Sequence, residues 1–174
     1  MWLFSSTVGN SPAPCRFRVC LIFAALLLTA CGFQLRGSTD FPPGMSAVYI
    51  DTSDRFSPFY RELIKTIRES ELSLVDNPID ADTVIRVLSD ETGRRALSVS
   101  ARNVPREYEV FYVVRYSVLI GAEEVLTPQQ FILTRDYTFD ETQVLGKALE
   151  EQILRDSIAE DLVGLLMQRI GAIT

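Results

Sequence analysis

The chain has 174 residues, of which 17 are lysine or arginine and 23 aspartate or glutamate, giving a net charge of −6. An acidic surface of that kind repels nucleic acid and anionic lipid unless arginines gather locally, so nucleic acid is not expected as a partner. There is no histidine, which removes the usual general base near neutral pH and the commonest transition-metal ligand.

The first 30 residues read as a targeting segment. Arg16 and Arg18 precede the apolar run Val19 to Leu28, which ends in Leu28-Thr29-Ala30-Cys31. A basic region, a short apolar core and small residues before a cleavage point make a secretory signal. The run is too short for a bilayer core, which takes roughly 20 apolar residues. Residues 1–30 are therefore expected to be removed, leaving 31–174 as a single periplasmic domain of a size that buries a sizeable core. Leu28-Thr29-Ala30-Cys31 resembles the bacterial lipobox, which makes Cys31 the lipidation site: its thiol would take a diacylglycerol and its new N-terminus a further acyl chain. Several acyl chains together give stable anchoring. Cys15 and Cys20 leave with the signal, so no disulfide is expected and stability must come from packing. From Cys31 onward, 15 basic side chains face 23 acidic ones, a net charge of −8. In lipoprotein sorting of the enterobacterial kind an aspartate after the cysteine retains the protein in the inner membrane; Gly32 stands there, which reads as release to the outer membrane.

In chain order, Ser46 to Asp51 reads as a first strand. Ser57-Pro58 form an N-cap and N1 pair, and Phe59, Leu63, Ile64 and Ile67 share one helical stripe that ends near Ser70. A short strand at Leu72 to Val75 precedes the breaker Asp76-Asn77-Pro78. Thr83 to Asp90 alternates as a strand, Thr92-Gly93 marks a turn, and Arg95, Leu97 and Val99 alternate on a returning strand, which together predict a hairpin. Tyr108, Val110, Tyr112, Val114, Tyr116, Val118 and Ile120 all project to one side of a long strand. This row fits either a lipid-binding stripe or a core packed under a helix, and the core is the simpler reading. After a turn at Gly121 to Glu124, the last strand runs from about Gln130 to Phe139, its apolar face interrupted by Arg135. Asp140 with Gln143 forms a capping box. Leu145, Leu149, Ile153, Ile158, Leu162 and Leu166 then define one long amphipathic helix, leaving Glu150, Glu151, Asp156, Glu160 and Asp161 for solvent. The expected fold is α+β, with two helices packed on one face of a mainly antiparallel four-stranded sheet.

Catalytic patterns are few. No Gly-x-Ser-x-Gly elbow and no glycine-rich phosphate loop occurs. Asp76, Asp80 and Asp82 lack the glycine and the closing glutamate of a calcium loop and read as a solvated turn. Asp51 with Asp54, and Glu150 with Glu151, read as surface charge. No enzyme activity, metal or cofactor is expected.

Three stretches carry a family resemblance: Cys31-Gly32-Phe33-Gln34-Leu35-Arg36-Gly37, Arg135-Asp136-Tyr137-Thr138-Phe139-Asp140 and Val144-Leu145-Gly146-Lys147-Ala148-Leu149-Glu150-Glu151. In order and spacing they resemble the lipopolysaccharide-assembly lipoprotein (LptE) family along nearly the whole chain after Cys31. The resemblance implies a plug and assembly partner inside the lumen of a large outer-membrane β-barrel, LptD, helping to place lipopolysaccharide in the outer leaflet. A barrel lumen is polar and water-accessible, which suits an acidic domain. The family's lipopolysaccharide-contacting basic residues match Arg102, in the turn Ala101-Arg102-Asn103, and Lys147, at the start of the last helix. A guanidinium and an ammonium suit lipid A phosphates. The loop around Arg102 differs in length and composition from the enterobacterial pattern. Arg94, Arg95 and Arg106 would join Arg102 in one basic patch. Two other classes stay open: an auxiliary lipoprotein of a lipid-transport ABC system, and a purely structural bridge between membrane and barrel.

Overall fold

The computed structural model describes residues 41–139 and 144–173. The signal segment, Cys31, Gly32 and the capping box at Asp140 and Gln143 lie outside the described residues. The elements are β1 (Ala47–Asp51), α1 (Pro58–Glu69), β2 (Ser73–Leu74), a 3-10 turn at Pro78–Asp80, β3 (Thr83–Val99), β4 (Pro105–Ile120), β5 (Glu123–Thr138) and α2 (Val144–Gly171). They form one sheet in the order β2-β1-β3-β4-β5.

The α+β class holds, with a different sheet. It has five strands and is mixed: β1 pairs in parallel with both β2 and β3, while β3, β4 and β5 are antiparallel. Parallel neighbours need a crossover, and α1 supplies the one between β1 and β2. The predicted hairpin at Thr92-Gly93 does not form. Thr83 to Val99 is one 17-residue strand that stays paired with β4 through that dipeptide, Thr92 opposite Tyr112 and Gly93 opposite Phe111. Turn propensity is local, and sixteen residues of β4 outweigh it. The Phe111 ring occupies the space a side chain at Gly93 would need, since a Cβ built there falls 2.6 Å from Cζ. The chain turns instead at Ser100–Val104, where Asn103 adopts φ +61 and Ser100 N–H donates to the Val104 carbonyl at 2.7 Å. At the far end β5 begins at Glu123, directly after a tight turn in which Gly121 takes φ +60, a conformation glycine adopts without steric cost.

Both helices lie on the predicted face. Ser57 caps α1, its hydroxyl accepting from Tyr60 N–H at 3.0 Å, and Phe59, Leu63 and Ile67 are buried. They share one core with Val110, Tyr112, Val114, Tyr116 and Val118 of β4 and with Ile158, Leu162, Leu166 and Ile170 of α2. The aromatic row is thus core, and Tyr112 also accepts Phe59 N–H at its hydroxyl, 3.1 Å, tying β4 to the first turn of α1.

Helix α2 departs from the single stripe expected of it. Ile158, Leu162 and Leu166 are buried, whereas Leu149 and Ile153 are 63% and 58% exposed. The five-residue step from Ile153 to Ile158 turns a helix by roughly 140°, so the two groups stand on opposite faces. The inward face is continued N-terminally by Leu154, partly buried against the core, and by Arg155 and Glu151.

Asp82 locks the sheet's parallel half. Its carboxylate accepts from Ser46 N–H at 3.1 and 3.0 Å, Ser46 Oγ at 2.5 Å, Ala47 N–H at 2.9 Å and Thr83 Oγ1 at 2.9 Å. One side chain thereby joins the start of β1 to the start of β3. Asp82, read from the sequence as part of a solvated turn, is thus a partly buried structural carboxylate, while Asp76 and Asp80 are exposed.

Candidate functional site

The charged residues that the sequence brings forward fall into two places. The first is the β3–β4 turn. Val104 N–H donates to Ser100 Oγ at 3.2 Å and closes a compact loop whose tip carries Arg102 and, just beyond it, Arg106, both exposed. Among the described residues no carboxylate pairs with either.

The second is the first half of α2. Lys147 is only 19% exposed and pairs with Glu150 one turn on, Nζ to Oε2 2.7 Å. Beside it Glu151 is a hub. Arg94 Nη1 reaches Glu151 Oε2 at 2.6 Å, Arg155 Nη2 reaches Oε1 at 2.5 Å, and the Tyr137 hydroxyl donates to Oε2 at 3.1 Å. The Arg94 guanidinium also lies 4.9 Å from the centre of the Tyr108 ring, and Tyr108 stacks on Tyr137 at 5.7 Å and meets Phe139 edge-on at 5.4 Å. Burial pushes the Glu151 carboxyl up, but hydrogen bonds from Arg94 and Tyr137 and the charges of Arg94 and Arg155 outweigh it and leave the group below its ordinary value. Further along, Arg135 Nη2 meets Asp161 Oδ2 at 2.5 Å. The arginine that interrupts the apolar face of β5 is therefore the partner of an acid on the helix above.

Arg102 and Lys147 stand on separate elements and share no hydrogen-bonding partner. The single basic patch does not assemble. Arg94 and Arg95 are adjacent on a strand and so point to opposite faces: Arg94 meets Glu151 under α2, while Arg95 meets Glu109 at 2.5 Å on the other side of the sheet. Glu151, assigned to solvent from the sequence, is a mostly buried docking group, whereas Asp161 stays exposed, as assigned, and pairs with Arg135 from there. The signal for Glu151 was its spacing, since Glu151, Arg155, Ile158 and Leu162 step by four, three and four, the interval of one helical face. The paired acids read as surface charge do separate. Asp51 pairs with Arg86 at 3.2 Å, and Asp54 Oδ1 accepts Phe56 N–H at 2.8 Å.

The opposite face of the sheet is covered by no described helix. Across β3, β4 and β5 it reads Glu91-Val113-Ile132, Gly93-Phe111-Thr134 and Arg95-Glu109-Asp136 in register. A mixed row, an uncharged row and a fully charged row thus lie side by side there.

A sheet of long strands roofed, among the described residues, by helices on one side, with its buried charges spent on joining elements, defines an α+β scaffold of the kind found in small lipoproteins. Solved structures bear this out. Lipoprotein B of Nitrosomonas europaea superposes with a TM-score of 0.66 at 28% identity, covering 81% of this chain and 91% of that one. The rare lipoprotein B of Shewanella oneidensis has the same fold, with a TM-score of 0.63 at 24% identity over 73% of this chain and 95% of that one. The LptE family model, described as lipopolysaccharide-assembly, matches residues 45–170, and the chain belongs to that family. Among relatives, the LPS-assembly lipoprotein LptE of Yersinia enterocolitica is 27% identical over 157 residues, 89% of this chain and 75% of its own length. That of Pectobacterium atrosepticum is 27% identical over 155 residues, 88% of this chain and 84% of its own.

Proposed function

We propose that this chain is a non-catalytic lipoprotein of lipopolysaccharide assembly, anchored at the outer membrane through Cys31 and seated as partner and plug in the lumen of the LptD β-barrel. The observation that carries the reading is the half-covered sheet. Its free face sets Phe111, Val113 and Ile132 among Glu91, Arg95, Glu109 and Asp136, a mixture suited to a polar, water-accessible lumen and unsuited to lipid. Family membership supports the same reading over the auxiliary lipoprotein of an ABC system.

Lipopolysaccharide contact falls to Arg102 and Lys147. Arg102 is presented at the tip of the β3–β4 turn with its guanidinium uncommitted among the described residues. Lys147 would exchange Glu150 for a phosphate, a small cost because ion pairs one helical turn apart contribute only about 0.2–0.5 kcal/mol. Glu151 and Arg94 do not touch lipid in this scheme; they hold the first half of α2, and Lys147 with it, against the sheet.

The test is a pull-down from outer membranes with a tagged chain that retains Cys31, combined with a lipopolysaccharide-binding assay. Recovery of a barrel protein of outer-membrane size is expected, with lipopolysaccharide binding weakened by Arg102→Glu and Lys147→Glu while the barrel is still recovered. Recovery of an inner-membrane substrate-binding subunit instead would overturn the partner. Unchanged lipopolysaccharide binding in the double variant would overturn the contact residues.

A further inference from the structure

The outer edge of the sheet carries an uncovered feature. Among the described residues β5 is the last strand in the order and pairs only with β4, so its other side presents backbone N–H and C=O groups that no described strand pairs. Proteins guard such edges with proline and charge. β5 does so at both ends, with Pro128 on one side and Arg135-Asp136 on the other. Between them Gln129-Gln130-Phe131-Ile132-Leu133-Thr134 has neither proline nor charge, and Ile132 is 57% exposed. A stretch of that composition on an open edge is a pairing template.

Beside it, β5 and the last turns of α2 enclose a groove of roughly 470 Å³, lined by Gln129, Phe131, Leu165, Gln168, Arg169 and Ala172. Its floor is apolar: Phe131 leans on Tyr116 with ring centres 5.1 Å apart. Tyr116 is fully buried, and its hydroxyl has no hydrogen-bond partner among the described residues. Arg169 stands near enough for its charge to act on that phenol. Among the described residues no carboxylate pairs with Arg169, on a chain where acids outnumber bases. Its place in the last turn of α2 favours a cation through the helix dipole but does not neutralise it.

We propose that the β5 edge from Gln129 to Thr134 accepts an extended segment of a partner polypeptide by strand addition, seating an apolar side chain in the β5–α2 groove and a carboxylate on Arg169. Main-chain hydrogen bonds to the edge supply affinity, and alternate side chains entering the groove supply selectivity. The acidic character follows from Arg169. A second copy pairing through the same stretch offers only uncharged residues to that guanidinium.

The full chain in detergent is titrated with the end-blocked peptide VTDTVT, whose Val and Asp side chains share one face of a strand, with VTKTVT and the strand-breaking VTDPVT as controls, while hydrogen exchange follows the amides of residues 129–134. Slowed exchange with VTDTVT and none with VTDPVT is expected. Arg169→Gln should weaken VTDTVT by about tenfold, and Arg169→Glu should reverse the preference to VTKTVT, the result expected of charge complementarity across an interface. Thermal melts check that each variant is folded. Four outcomes overturn the proposal: no protection at millimolar VTDTVT; equal binding of VTDPVT; protection that grows with protein concentration alone, meaning the edge pairs with a second copy; and protection without peptide that disappears when residues 32–40 are removed, meaning the chain covers its own edge.

Discussion

Arg94 on β3 and Glu151 on α2 meet at 2.6 Å, and the same guanidinium lies over the ring of Tyr108. This pair, with Tyr137 and Arg155 around it, fastens the first half of α2, where Leu149 and Ile153 point outward.

Glu151→Gln should therefore loosen the start of α2 without unfolding the sheet. With Glu151 mostly buried and Arg94 half exposed, the loss is expected at about 1–2 kcal/mol. Hydrogen exchange should rise in residues 146–155 and stay unchanged in 158–170. The carboxyl titrates below its ordinary value in the fold, so its contribution is complete above the unfolded value of about 4.3 and is lost as pH falls through the folded one. The destabilisation by Glu151→Gln should shrink accordingly in acid; one that stayed constant down to pH 3 would contradict the hub.

Two aspartates should respond to pH in opposite senses. Burial raises the Asp82 carboxyl, but the Ser46 hydroxyl, the Ala47 and Ser46 N–H groups and the Thr83 hydroxyl outweigh it and hold it below the ordinary value. Asp82→Asn should cost about 1–3 kcal/mol near neutrality and progressively less in acid. Asp90 is raised, by burial first and by the charge of Asp54, against the partial relief of the Ser57 and Tyr112 hydroxyls, and its Oδ2 has no partner among the described residues. A raised carboxyl disfavours the fold above its folded pKa and ceases to do so below the unfolded one. Asp90→Asn should then stabilise at pH 7.5 by under about 1 kcal/mol, screened by solvent, and have no effect near pH 3. Urea midpoints at the two pH values decide both.

Gly93 and Phe111 should be coupled. In the parent, Gly93→Ala drives a methyl group into the ring, and displacing that ring should cost about 1 kcal/mol. With Phe111→Ala in place the clash is gone and the alanine should stabilise the strand by about 0.5 kcal/mol, since glycine is the poorer strand residue. A double-mutant cycle measures the coupling; strictly additive effects would mean that the ring does not rest on Gly93.

The two faces of α2 separate cleanly by mutation. Leu149→Gln and Ile153→Gln should each change stability by no more than about 0.5 kcal/mol, as surface substitutions do. Ile158→Ala should cost about 2–5 kcal/mol, as emptying a core site does. If Leu149→Gln proved as damaging as Ile158→Ala, the orientation of the helix would be wrong.

Much of this molecule was legible in its residues. The alternation from Tyr108 to Ile120 named the buried face of β4, Ser57-Pro58 named the start of α1, and the three stretches around Cys31, Arg135 and Val144 pointed to the family that the match over residues 45–170 establishes. These signals are local, carried by side-chain periodicity, capping and short motifs within a few residues of one another. What only the tertiary structure decided depends on partners far apart in the chain. Gly93 is mid-strand because β4 pairs through it and Phe111 covers it. Arg94 and Arg95 part company because a strand alternates and each meets a different acid. Glu151 turns inward because Arg94 waits on the sheet beneath, and Asp161, still exposed, finds Arg135 there. A charge reads as solvent-facing until the fold places its counter-charge, and no periodicity within α2 reveals which strand will bring it.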